Sequence, residues 1–200
     1  MRLMVFAGVA MSAMLAHAAA APGKSLYTSI ASKDCRWDRV GNEPGDSEDQ
    51  TKRCRGLAGA RVVVNAFHTV VRLRFEWPAA RRKSETPYVI APWSIGEKLE
   101  WRGAVTGAFR PDAVIVRALY NKDGERAIER QVLAVIRFRQ GGACLMGAVD
   151  MTADKTPYET AQKLADDRAA SFTCGKDTPV VVGPPTRWTA ALIESATKHD

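Results

Sequence analysis

Pairs of arginines separated by a single apolar residue are the most specific chemical pattern in the sequence. The arginines concerned are Arg72, Arg74, Arg137 and Arg139, with Arg117 in a third strand-like segment. Residues two apart on a strand point to the same side, with Cα atoms roughly 6.6–7 Å apart, so each pair brings two guanidinium groups together. If the three strands are neighbours, these arginines share one sheet face.

The positive charge of a sheet face with this many arginines must be compensated by negative charge. Like charges placed opposite one another destabilise a sheet, so the face requires acidic partners or a bound anion. A basic loop at 81–83 and two tryptophans, Trp77 and Trp93, that bracket a proline-rich segment would add cationic and stacking groups. The pattern therefore predicts an anion-binding site of the five arginines with Trp77 and Trp93. The alternative is an ordinary solvated sheet face in an arginine-rich chain.

Three carboxylates near predicted strand ends, Glu76, Glu100 and Asp150, offer a different chemistry. A glycoside hydrolase needs two carboxyl groups roughly 5–10 Å apart, one as acid and one as base or nucleophile. The sequence therefore leaves open, as an alternative function, a hydrolase that acts on envelope glycans. Acidic residues are common at strand ends, which weighs against this alternative.

Other catalytic patterns are missing from the sequence. It has no G-x-S-x-G nucleophile elbow, H-E-x-x-H metal motif, phosphate-binding loop or dinucleotide fingerprint. His68 is either a general base or an ordinary side chain at the start of a strand, and His199 lies beside the C-terminus. These observations favour a protein that is not an enzyme, and no cofactor or metal ion is predicted.

Residues 1–20 have the organisation of a secretory signal peptide. Arg2 gives a positively charged start, an apolar segment follows over 3–15, and Ala16-His17-Ala18 fits the small-x-small rule for cleavage. The apolar segment is shorter than the roughly 20 residues that cross a membrane. We therefore expect a periplasmic or secreted protein without a membrane span; a buried N-terminal helix is the alternative.

Basic residues outnumber acidic ones, 29 to 22, and give a formal net charge of +7, of which a leader would remove only Arg2. A basic balance suggests nucleic acid, but an exported protein is a poor candidate for that partner. An anionic envelope polymer or an acidic protein is predicted instead. The composition says nothing about the oligomeric state.

All four cysteines, Cys35, Cys54, Cys144 and Cys174, lie beyond the leader. An even number in an oxidising compartment predicts two disulfides, for which sequence alone allows three pairings. The pairing Cys35–Cys54 and Cys144–Cys174 is favoured because it closes the shortest loops. A zinc site made of four thiolates is the alternative, although the short C-x-x-C spacing typical of such sites is absent.

Hydrophobic patterning predicts strands through the middle of the chain and one main helix after them. The predicted strands are 26–30, 61–67, 68–76, 99–102, 113–120, 131–139 and 143–149. Segments 113–120 and 131–139 are apolar at odd and even positions, which is typical of strands covered on both faces. Thr156, Pro157 and Glu159 are suited to cap the helix, whose apolar spacing continues to Phe172.

These elements predict an α+β fold for 21–200: a single domain with an antiparallel sheet of about five or six strands, one main helix packed on a face, and two disulfides. An extended tail is expected from about residue 176, and a short helix over 189–197 is left open.

The cysteines also stand in a wider pattern. It consists of Tyr27-Thr28, Cys35, Cys54-Arg55-Gly56, Glu100-Trp101-Arg102, Cys144, Val149-Asp150 and Phe172-Thr173-Cys174. This pattern resembles small exported bacterial proteins of unknown function, and the resemblance implies export and two disulfides without assigning any activity. The predicted disulfides, the basic sheet face and the scarcity of catalytic groups together predict a non-catalytic binding, inhibitor or accessory module of the cell envelope.

Overall fold

The computed structural model describes residues 23–38, 49–67, 69–77, 87–106, 108–121 and 127–197. The signal peptide predicted at 1–20, His68 and the basic loop at 81–83 lie outside the described residues and stay predictions. Along the described ranges, no helix combines the length and apolar character that crossing a bilayer requires.

Ten strands and two helices make up the described structure. The first five strands are β1 (Lys24–Ser29), β2 (Cys35–Asp38), β3 (Asp49–Arg55), β4 (Arg61–Phe67) and β5 (Val70–Glu76). The other five are β6 (Ser94–Thr106), β7 (Ala108–Asn121), β8 (Ile128–Arg139), β9 (Gly142–Asp150) and β10 (Val180–Val182). The helices are α1 (Pro157–Arg168) and α2 (Arg187–Thr197).

The α+β class is confirmed, but the strands form two sheets instead of the single predicted one. One sheet has six strands in the order β1-β6-β7-β8-β9-β10, and the other has four in the order β2-β3-β4-β5. The larger sheet is mixed, because β10 runs parallel to β9 while its other neighbouring strands are antiparallel. Patterning within a strand does not reveal its partners, so the sequence did not separate the two sheets.

The main hydrophobic core lies between the two sheets. Phe75 of β5, Trp101 of β6 and Phe138 of β8 are fully buried there, and Phe138 lies 5.2 Å from Phe75 and 5.0 Å from Trp101 between ring centroids. The Trp101 indole Nε1 also donates a hydrogen bond of 2.8 Å to Thr28 Oγ1 on β1. Edge-to-face aromatic packing of this kind stabilises beyond the area it buries.

Helix α1 covers the opposite face of the six-stranded sheet. It buries Ala161, Leu164 and Ala165 in a second apolar cluster with residues of β7, β8 and β9. A Cβ on Gly147 of β9 would lie 2.6 Å from Leu164, so glycine permits this close approach. The helix begins at Pro157 as predicted, but Thr156 makes no side-chain capping hydrogen bond. Strands β7 and β8 are therefore covered on both faces, as their apolar patterning indicates.

An ion pair and its surrounding hydrogen bonds join α1 to the β1 edge of this sheet. Arg102 of β6 is 8% exposed, and its Nε donates to Asp166 Oδ1 of α1 at 3.1 Å while its Nη2 pairs with Asp166 Oδ2. The backbone N–H of Gly23 donates to the same Oδ2 at 3.0 Å, and Arg102 Nη1 donates to Ser25 Oγ at 2.8 Å. This largely buried ion pair fixes the position of the helix along the sheet.

The C-terminal segment differs from the predicted extended tail. It forms the short strand β10 and then α2, which includes the segment 189–197 where a short helix was left open. Leu192 of α2 is fully buried in the core between the sheets. Because β10 has only three residues, its hydrophobic pattern cannot identify it as a strand. Its pairing with β9 depends on the tertiary fold.

Both disulfides of the favoured pairing are confirmed. Cys35–Cys54 joins two residues that face each other in the β2–β3 register, and Cys144–Cys174 joins β9 to the segment after α1. All four thiols are therefore in disulfides, which removes the zinc alternative.

Candidate functional site

The outer face of the four-stranded sheet carries six arginines, which we call the arginine face. They are Arg36 of β2, Arg53 and Arg55 of β3, Arg61 of β4, and Arg72 and Arg74 of β5. The inner residues of these strands, among them Cys54, Val62, Leu73 and Phe75, fill the core. Because side chains alternate along a strand, the residues between them point outward, and the register places them in rows across the sheet.

Two arginine pairs face each other directly on neighbouring strands. Arg36 is the register partner of Arg53, and Arg55 is the register partner of Arg61. All four line one open depression of about 870 Å³ beside the β3–β4 turn. Side chains at such positions have Cβ atoms about 4.5–5.5 Å apart, where like charges destabilise the sheet. The depression therefore concentrates positive charge in a concave surface.

Acidic residues neutralise part of this charge. Arg53 pairs with Asp38 on β2, and its Nε lies 3.2 Å from Glu76 Oε2 on β5. Arg74 Nη2 lies 2.8 Å from Glu76 Oε1, so Glu76 bridges two arginines. Within the part of the chain that the structure describes, no ion pair is formed by Arg36, Arg55 or Arg61.

Tyr88 extends the arginine face at the β5 edge. Residues 89–92 run along β5, where Val71 N–H donates to Pro92 O and Leu73 N–H to Ile90 O. The Tyr88 ring then lies 5.4 Å from the Arg72 guanidinium and 5.5 Å from that of Arg74, measured from the ring centroid. The contacts are of cation–π type and hold both guanidinium groups against the sheet.

The expectation that all five predicted arginines share one face is wrong, because β5 lies in a different sheet from β7 and β8. Arg137 and Arg139 lie on the α1 side of β8, where Arg139 Nη2 donates to Ala170 O at 2.7 Å. Burial lowers the pKa of the Arg137 guanidinium, repulsion from Arg139 lowers it further, and Asp112 opposes both effects. Arg117 of β7 is also on this side and lies at a separate cleft.

The two predicted tryptophans occupy different environments. Trp77 is 9% exposed and stacks on Phe138 at 5.4 Å between ring centroids, so it belongs to the core and not to a binding surface. Trp93 is half-buried just before β6. Neither lines the depression between Arg36 and Arg61.

The three carboxylates proposed for glycoside hydrolysis lie in separate places. Glu76 is held by arginines on the four-stranded sheet, and Glu100 lines a cleft at the start of α1. Asp150 is buried at the end of β9, where its Oδ2 accepts a hydrogen bond of 2.8 Å from the Thr186 hydroxyl. The structure therefore brings no two of these three carboxylates together.

Asp150 instead connects β9 to the start of α2. Burial raises the pKa of its carboxyl, but hydrogen bonds from Thr152 N–H, the Thr186 hydroxyl and Ala153 N–H outweigh burial. With the nearby Arg130 charge, they hold the pKa below the ordinary value of 3.8. The ionised form therefore stabilises the fold at pH values above 3.8, and this contribution is lost as the pH falls through the lowered pKa.

We expect Asp150→Asn to lower the free energy of unfolding at pH 7 by about 1–2 kcal/mol, because buried donors lose an ionised acceptor. Urea denaturation at pH 7 and at pH 3 measures the free energy of unfolding. From pH 7 to pH 3, the variant should lose less of this free energy than the wild-type protein does. Equal losses would show that Asp150 does not contribute to acid sensitivity.

Sequence reasoning found Arg72 and Arg74 but missed four members of the arginine face. Arg36 lies in a four-residue strand, and Arg53, Arg55 and Arg61 lie next to a turn, where a charged residue is unremarkable. One signal was present: Arg36 and Arg53 each adjoin a cysteine of the disulfide whose pairing was favoured. That bond would have placed these two arginines on adjacent strands.

Comparisons with protein-family models, curated proteins and solved structures find no significant match to this chain. The resemblance to small exported bacterial proteins stays a prediction. The function must therefore be inferred from the residues of this chain, and the arginine face gathers six of the described arginines on one sheet surface.

Proposed function

We propose that this protein is an exported, non-catalytic binding module whose arginine face holds an anionic polymer of the cell envelope. The observation that carries the proposal is the pair of opposed arginines on each side of one depression, Arg36 with Arg53 and Arg55 with Arg61. Asp38 and Glu76 compensate the charge of Arg53, but Arg36, Arg55 and Arg61 have no ion-pair partner among the described residues, and an anion placed beside these three arginines turns repulsion into attraction.

The distribution of the charge favours a polymer over a single small anion. The arginine face extends from β2 to β5, and three inter-strand spacings of about 4.8 Å give a width of roughly 14 Å. Arg72 and Arg74 lie at one side of the face and Arg36 at the other. A chain of repeating anionic groups contacts both sides at once, whereas a single phosphate or carboxylate fills only the depression.

The two disulfides support an oxidising compartment as the place of action. Together with the leader predicted at 1–20, they favour envelope polymers or acidic envelope proteins over nucleic acid as the partner. Anionic polymers require no catalytic group at the site, in keeping with a depression in which the Asp38 carboxylate is paired with Arg53.

Changing Arg36, Arg55 and Arg61 together to serine is expected to weaken the binding of inorganic polyphosphate about 10- to 100-fold at low salt. Exposed ion pairs contribute roughly 0.5–1 kcal/mol each, and three such contacts give this range. Calorimetric titration measures the affinity, and wild-type binding should weaken steeply as the ionic strength rises.

A matched control removes three positive charges elsewhere. Lys24, Arg110 and Lys155 are exposed and lie on the six-stranded sheet or beside α1. Their triple serine variant should bind polyphosphate nearly as tightly as the wild-type protein does. Equal weakening in both variants would mean that net charge alone drives binding, and salt-independent affinity would contradict the proposal.

A further inference from the structure

A second concave site lies on the other sheet, where α1 begins. It is a cleft of about 240 Å³ between Tyr27 of β1, Lys98 of β6 and Tyr158 of α1. Three apolar residues of its lining, Ile115, Val116 and Leu133, are buried, so the accessible apolar surface comes from the rings of Tyr27, 50% exposed, and Tyr158, 41% exposed. An apolar surface with a few polar groups at its rim is typical of small-molecule sites.

Glu100 provides an oriented carboxylate in this cleft. The residue is 5% exposed, and its Oε1 accepts hydrogen bonds from Ser25 Oγ on β1 and from Gln162 Nε2 on α1, the latter at 2.7 Å. Within the ranges that the structure describes, no hydrogen bond reaches the second oxygen, Oε2. The Oε2 atom is not among the buried polar atoms without a partner, so it is accessible from the cleft and can accept a hydrogen bond from a ligand ammonium group.

Two cations lie at the same cleft. The Lys98 Nζ is 4.0 Å from the centroid of the Tyr27 ring, and Arg117 Nη1 is 3.4 Å from Gln131 Oε1. Neither cation forms an ion pair with any residue in the described part of the chain. A Cβ on Gly96 would lie 3.1 Å from Arg117 Nε, so the arginine side chain rests on the β6 backbone. These two cations remain available to a ligand carboxylate.

We infer that this cleft binds a small α-amino acid with an aliphatic side chain, in its zwitterionic form. The ammonium group donates to Glu100 Oε2, the carboxylate contacts Lys98 and Arg117, and the side chain packs on the exposed rings of Tyr27 and Tyr158. Sites for drug-sized ligands have volumes of roughly 300–1,000 Å³. The smaller cleft suits a single amino acid better than a peptide.

Titration calorimetry of the purified protein with L-leucine and L-alanine tests this inference. The single-charge analogues isopentylamine and 4-methylpentanoate, which keep the side chain of leucine, should bind at least about tenfold more weakly than leucine, since each loses one charge-assisted contact. Leucyl-leucine tests the size limit and should show no binding. D-leucine shows whether the cleft distinguishes the two configurations found in envelope material, and binding of either enantiomer supports the inference.

Variants separate the two charged ends of the site. Glu100→Gln should weaken leucine binding at least about tenfold, and so should Lys98→Met, which changes an exposed residue without a role in the core. Lys155→Met, at an exposed lysine outside the cleft, should leave binding unchanged. If Glu100→Gln fails to fold by circular dichroism, Lys98→Met decides the question.

Three results would overturn the inference. They are the absence of binding by L-leucine, D-leucine and L-alanine alike up to about 10 mM, single-charge analogues that bind as tightly as leucine, and unchanged affinity in Lys98→Met. The cleft and the arginine face lie on different sheets, so polyphosphate binding and amino-acid binding succeed or fail independently.

Discussion

Phe138→Ala is expected to lower the free energy of unfolding by about 3–5 kcal/mol, the cost of deleting a buried aromatic side chain from a close-packed core. Phe138 is 1% exposed. It contacts Phe75 of the four-stranded sheet, Trp101 of the six-stranded sheet and Trp77, which directly follows β5. Its removal leaves a cavity where the two sheets meet. Guanidinium denaturation followed by tryptophan fluorescence measures the change.

An exposed apolar residue provides the control. Val105 of β6 is 52% exposed, and Val105→Ala should change the free energy of unfolding by less than about 0.5 kcal/mol. If Phe138→Ala destabilises the protein no more than this control does, the two sheets do not share the core described here.

Asp166→Ala should cost about 3–5 kcal/mol, because it leaves Arg102 largely buried without its carboxylate partner. The side chains of Arg102 and Asp166 are only 9% and 16% exposed, and the backbone N–H of Gly23 loses its acceptor as well. Thermal and urea denaturation both measure the loss. The effect should exceed that of Lys163→Ala, which removes an exposed ion pair with Asp167 on the same helix.

A double variant distinguishes the two possible origins of that loss. The double variant Arg102→Leu with Asp166→Met removes both charges. Replacing a buried ion pair with apolar residues in this way often leaves the stability of a protein unchanged or raises it. We expect the double variant to be more stable than Asp166→Ala. A double variant as unstable as the single one would assign the loss to packing and not to the unpaired arginine.

Much of the secondary structure could be predicted because it depends on local patterns. Segments 113–120 and 131–139 carry apolar residues at both odd and even positions, so the sequence predicted that other layers cover both faces of these strands. Pro157 marked the start of α1, and loop length identified the two disulfides. Each of these features is decided by residues close together in the chain.

The arrangement of the sheets could not be predicted, because pairing between strands is decided by distant residues. The alternation at Arg72 and Arg74 is the same whether β5 lies beside β4 or beside β8. The structure places it beside β4, which separates these arginines from Arg137 and Arg139. The candidate site therefore kept two of its predicted members and gained four others that only the register of β2, β3 and β4 brings together.

The cross-strand disulfide has a consequence for the charge on the arginine face. Cys35 and Cys54 are register partners, and the next pair along the same two strands is Arg36 with Arg53. A slip of one residue would turn Arg36 toward the core, and repulsion between the two guanidinium groups pushes the strands apart. The covalent bond prevents both movements. Without this bond, backbone pairing and the Arg53–Asp38 ion pair alone would hold the β2–β3 register, so the disulfide helps to keep Arg36 at the depression.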